Sequence, residues 1–114
     1  MSILFVRLRI APDVDLEPIV HPSAWRIIRA AAGAHHIVAL TEAGSLRLTS
    51  PIRFIYVGTR TAETESGRLY EIEDGPATDP SMVELLMVRP ALEIQGGYVD
   101  VSDEVWREMV SSSH

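Results

Sequence analysis

From residue 3 the chain alternates Leu4, Val6, Leu8 and Ile10 against Phe5, Arg7 and Arg9, the period-two signature of a strand with one buried face. The stretch Pro12-Asp13-Val14-Asp15 predicts a turn, because proline presets one turn dihedral and aspartate bonds to nearby backbone. From Pro22 to Ala32 the pattern predicts a helix, with Trp25, Ile28 and Ala32 on one stripe, three alanines of high helix propensity, and Gly33 as C-cap. Ile37–Leu40 and Leu46–Leu48 flank a tight turn at Glu42–Ser45, and Ile52–Val57 predicts a strand apolar on both faces, hence central in a sheet.

Beyond Val57 the pattern weakens. Thr59–Gly67 offers no apolar anchors and predicts a polar loop, followed by a strand over Arg68–Glu73. Asp79-Pro80-Ser81 is the sharpest local signal, an aspartate N-cap with proline at the first helical position, and the helix is expected to run to Arg89, where Pro90 stops it. A strand through Val83–Val88 is the rival reading. Ala91–Gln95, a Gly96-Gly97 turn and Tyr98–Val101 predict a hairpin, with Leu92 and Ile94 facing Val99 and Val101. Ser102 then caps a terminal helix whose stripe of Val105, Trp106, Met109 and Val110 is expected to bury Trp106 against the sheet.

About six or seven strands, mostly hairpin-linked, with two or three short helices and no regular strand–helix alternation predict an α+β fold built on a mainly antiparallel sheet. A mostly-β sandwich or partial barrel is the alternative. Residues 1–110 are expected to form a single globular domain and 111–114 a frayed tail.

Composition agrees with a packed domain: 46% of the 114 residues are hydrophobic and 23% charged. There is no cysteine, which excludes disulfides, thiolate metal sites and thiol nucleophiles, and makes the cytoplasm the expected location. The apolar runs are far shorter than a membrane span requires, and no export signal is apparent at the N-terminus.

One stretch, Ala31 to Leu46, resembles a blade segment of the regulator-of-chromosome-condensation propeller repeat, which runs strand, glycine, histidine, strand, turn, strand. The family's closing tryptophan-glycine is missing after Leu48 and no second copy follows, whereas a propeller needs several blades. No residue role is carried over.

The charge is split along the chain. Residues 1–60 carry seven arginines against four acids, and residues 61–114 three against twelve, within a net charge of −6. Glu63, Glu65, Glu71, Glu73, Asp74, Asp79 and Glu84 form the acid-rich segment, and an unpaired acidic surface of this kind suits docking onto a basic partner. The same net charge repels phosphate, so nucleic acid is disfavoured despite Arg7, Arg9, Arg47 and Arg53.

Candidate chemistry is sparse. His21, His35 and His36 lie at no metal-ligand spacing, the serines in no nucleophile elbow, and the glycines in no phosphate-binding loop, so no catalytic residue, metal or cofactor is expected. The expectation is a non-catalytic protein-binding module, an accessory, inhibitory, immunity-type or phage assembly protein acting through its acidic surface or by self-association. The alternative is a small α+β enzyme or ligand-binding domain with a histidine acid–base. A flat acidic face would favour the first, and a concave apolar pocket holding a histidine or paired carboxylates the second.

Overall fold

The computed structural model describes residues 17–112. The expected strand at Ile3–Ile10 and the turn at Pro12–Asp15 lie outside them. Among the described residues the elements run β1 (Ile19–Val20), β2 (Pro22–Ala30), β3 (His35–Thr41), β4 (Leu46–Leu48), β5 (Ile52–Tyr56), β6 (Thr61–Thr64), β7 (Leu69–Glu71), α1 (Pro80–Leu86), α2 (Val88–Glu93), β8 (Tyr98–Asp100) and α3 (Ser102–Ser112). The fold is α+β, but its strands make two open four-stranded sheets instead of one, ordered β1-β7-β6-β5 and β4-β3-β2-β8, with β1–β7 the one parallel pair among them.

The second sheet is buried on both faces. Trp25, Ile27, Ile37 and Ala39 point to the first sheet and α3, packing with Val20, Ala62, Tyr70, Ile72 and Met109. Ile28, Val38, Leu40 and Leu46 point the other way, against Leu86 and the partly buried Met82 and Met87 of the α1–α2 side.

This burial corrects the expected helix at Pro22–Ala32. β2 is a strand paired on both sides, with β3 and β8, and its two apolar faces each have a core to fill. A strand buried on both faces loses its apolar–polar alternation, and the alanines at its end lent helix propensity that tertiary pairing overrides.

β5 is corrected in the opposite sense. It stands at the edge of its sheet, with Phe54 52% and Tyr56 46% exposed, so its apolar run marks one packed face and one solvated aromatic face. Its partner β6 falls inside the expected polar loop. Thr61, Ala62 and Thr64 are buried there, and the Thr64 hydroxyl donates to the Arg68 carbonyl at 3.3 Å, so β-branched threonines serve as core once their hydroxyls find acceptors.

The hairpin expected around Gly96-Gly97 does not form. Residues 91–93 belong to α2, which places Leu92 outward at 75% exposure, and β8 pairs with β2. Both glycines do take positive φ (82° and 88°), turning the chain from α2 into β8, and the Gly97 carbonyl accepts from the Ala31 amide at 3.1 Å. The interruption predicted at Pro90 appears earlier, at Met87. A proline lacks the N–H that would bond the Leu86 carbonyl and crowds that carbonyl, so α1 ends at Leu86 and α2 restarts with Pro90 in its first turn. The expected N-cap holds: Asp79 Oδ2 accepts from the Met82 amide at 3.1 Å.

The Ala31–Leu46 stretch supplies the β2–β3 turn and the β3–β4 hairpin, with Gly44 at φ 84°. Trp106 packs on the edge of the first core cluster, partly buried, and its ring tilts against Trp25 at 5.9 Å between centroids. No helix among the described residues is long and apolar enough to cross a membrane.

Candidate functional site

Strand register assembles a cleft from distant parts of the chain. The parallel β1–β7 pair sets Val20 opposite Tyr70, which brings His21 beside Glu71, with Nδ1 3.1 Å from Oε2. The β2–β3 pair sets Pro22 opposite Thr41 and carries Glu42 to the same end. Residues 72–79 then cross from β7 to α1, held on β2 by three hydrogen bonds: Trp25 Nε1 donates to the Asp74 carbonyl at 2.9 Å, the Ala77 amide to the Trp25 carbonyl at 3.0 Å, and Arg26 Nη1 to the Ala77 carbonyl at 2.7 Å.

The open cleft has a volume of about 550 Å³, and His21, Glu42, Glu71, Glu73, Asp74 and Asp79 are among its lining residues. All but Glu71 are exposed residues, so their field reaches solvent and is screened by salt. One Asp79 oxygen is committed to the helix cap. The nearest arginines are engaged elsewhere or approach backbone: Arg26 Nε donates to Asp100 at 3.0 Å, and Arg60 Nη1 donates to the Glu73 carbonyl at 3.3 Å while its guanidinium lies 5.2 Å from the Trp106 ring centre. Arg47 pairs with Glu17 and Arg89 with Glu93, so these arginines too draw on acids outside residues 63–84.

Four of the seven acids singled out from sequence therefore converge: Glu71, Glu73, Asp74 and Asp79. The other three do not join them. Glu63 is on β6, where the Tyr56 hydroxyl donates to it at 3.1 Å, and that bond holds the Tyr56 phenol above its ordinary pKa. Glu65 lies in the β6–β7 turn and Glu84 on the exposed side of α1. Sequence reasoning missed Glu42 and the placement of His21, because both reach the cleft through strand register between segments far apart in the chain.

Four acids of the segment thus meet in a cleft of mixed lining, where His21 and the apolar Trp25, Ile72 and Met82 stand with them, and not on a flat face. Among the described residues no three histidine or acidic side chains are grouped so as to hold a metal ion. His36 Nδ1 lies 2.8 Å from the Thr49 carbonyl, to which it donates when protonated there. His35 lines a shallower hollow beside Phe54 and Glu108. Ser102, expected as a helix cap, is fully buried instead: its Oγ accepts from the Ile27 amide at 2.7 Å and lies 2.6 Å from Asp100 Oδ1.

Compared with models of known families, with curated proteins and with solved structures, the chain matches none.

Proposed function

We propose that this protein is a non-catalytic protein-binding module that docks a basic segment of its partner in the cleft between β1, β2 and the 72–79 segment. The observation that carries the reading is the meeting of Glu42, Glu71, Glu73, Asp74 and Asp79 around one opening while neighbouring arginines pair elsewhere. Like charges gathered at a mouth repel one another in the free protein and gain when an external cation neutralises them. An inhibitory, immunity-type or assembly role in a bacterial or phage setting accords with such an interface.

The test is native mass spectrometry of the protein purified from its host to name the partner, then affinity against salt for wild type and a Glu73→Arg/Asp74→Arg variant of confirmed fold. Steep salt dependence and loss of affinity in the variant are expected. Unchanged affinity with a shallow salt dependence overturns the reading.

A second reading rests on the His21–Glu71 pair, since a carboxylate beside an imidazole orients it for proton transfer. It predicts a turnover that His21→Ala abolishes without change of fold.

A further inference from the structure

Behind the acidic cleft lies a groove of about 610 Å³, lined by Gly75, Pro76 and Thr78 on one side and by Trp106 and Val110 of α3 on the other. Gly75 and Thr78 line both spaces, so the 75–78 backbone is a low wall between a carboxylate-rich cleft and an apolar shelf. Trp106 lies close against the wall at residue 75, which has no side chain: a Cβ there would stand 3.4 Å from Trp106 Nε1. The charges around the groove are Asp103 and Arg107 in its lining and Arg60 over the Trp106 ring, with Arg26 3.8 Å from Asp103.

We infer that the groove is the second half of the docking site, and that its occupant is an extended segment of a partner protein in which an apolar residue stands next to an arginine or lysine. This rests on the cleft reading above and narrows it. Successive side chains of an extended chain point to opposite sides at about 3.4 Å spacing. A segment laid along the 75–78 wall therefore sends alternate residues to its two sides. The carboxylates of the cleft select the basic residue by charge complementarity, and Trp106, Val110 and Pro76 desolvate its apolar neighbour. A uniformly basic segment gains only the first of these contacts.

The test is isothermal titration of the full chain at low salt with two blocked peptides, acetyl-Arg-Leu-Arg-Leu-Arg-amide and acetyl-Arg-Ser-Arg-Ser-Arg-amide, repeated with Val110→Ser. The leucine peptide is expected to bind at least tenfold more tightly, as burying one such side chain predicts. Val110→Ser, with melting temperature checked, is expected to reduce that preference several-fold and leave the serine peptide unaffected. Equal affinities in wild type overturn the groove and leave the cleft reading standing. Binding of neither peptide removes both. An undiminished preference in folded Val110→Ser places the apolar contact elsewhere and overturns the inference, as does protein self-association that shields Trp106 fluorescence, which assigns the groove to a second copy. If Val110→Ser does not fold, the wild-type comparison decides alone.

Discussion

Arg26 and Asp100 lie 3.0 Å apart, Nε to Oδ2, and the same guanidinium reaches the Ala77 carbonyl. Asp100 in turn meets Ser102, whose Oγ receives the Ile27 amide, so one short chain of polar contacts ties β2, β8, α3 and the cleft wall together. Removing one partner strands charge in a mostly buried site. Arg26→Leu is expected to cost about 2–4 kcal/mol in urea unfolding and to speed hydrogen exchange at the Ala77 amide. A variant with unaltered exchange there would show that the wall stands without Arg26.

Stability should fall in acid. Burial raises the Asp100 pKa, but hydrogen bonds from Arg26 and Ser102 outweigh it and leave the carboxyl below its ordinary value. Glu17 is lowered chiefly by its bond from Arg47, and Glu93 by its bond from Arg89. A lowered folded-state pKa means that the unfolded chain takes up protons first as pH drops. The contribution is therefore complete above the unfolded carboxylate values of about 4 and is lost as pH falls through the folded ones. The urea midpoint is expected to hold from neutrality to about pH 5, then drop, with a shallower drop in Asp100→Asn.

The two tryptophans should differ in weight. Trp25 is 3% exposed and its Nε1 donates to Asp74, so Trp25→Ala is expected to cost about 3–5 kcal/mol. Trp106 keeps one side open to the groove, and Trp106→Ala is expected to cost about half as much. Equal losses would mean that Trp106 is core and not docking surface.

The Asp79 cap offers a local check. Asp79→Ala leaves the Met82 amide without its side-chain acceptor and is expected to cost about 1 kcal/mol. Asp79→Asn, which keeps an acceptor oxygen and sheds the charge, is expected to recover most of that stability while still weakening partner binding.

Neutralising the cleft should not harm the fold. If its carboxylates serve binding, Glu73→Gln/Asp74→Asn relieves repulsion and leaves stability unchanged or raised by a few tenths of a kcal/mol at low salt. A clear loss in the thermal melt would assign these acids a structural role.

Several short-range signals were legible because the residue acts through its immediate neighbours. The Asp79 cap, the Gly44 turn, the positive-φ pair Gly96-Gly97 and the β3–β4 hairpin depend on backbone geometry a few residues wide, and the chain states each in place. The acid-rich segment was legible as composition, though only four of its members share the cleft.

What the sequence determined by itself, then, is the α+β class, the Asp79 cap, the turns at Gly44 and Gly96-Gly97 and a negative second half, because local sterics and charge count need no partner. Tertiary structure alone decided that Pro22–Ala30 is a strand, that Thr61–Thr64 is core, that residues 91–93 are helix, and that His21 and Glu42 stand with Glu71 and Asp74. Each depends on what lies across the sheet: a face becomes core only when another layer covers it, and register brings together residues that the chain keeps up to 58 positions apart, as His21 and Asp79 are.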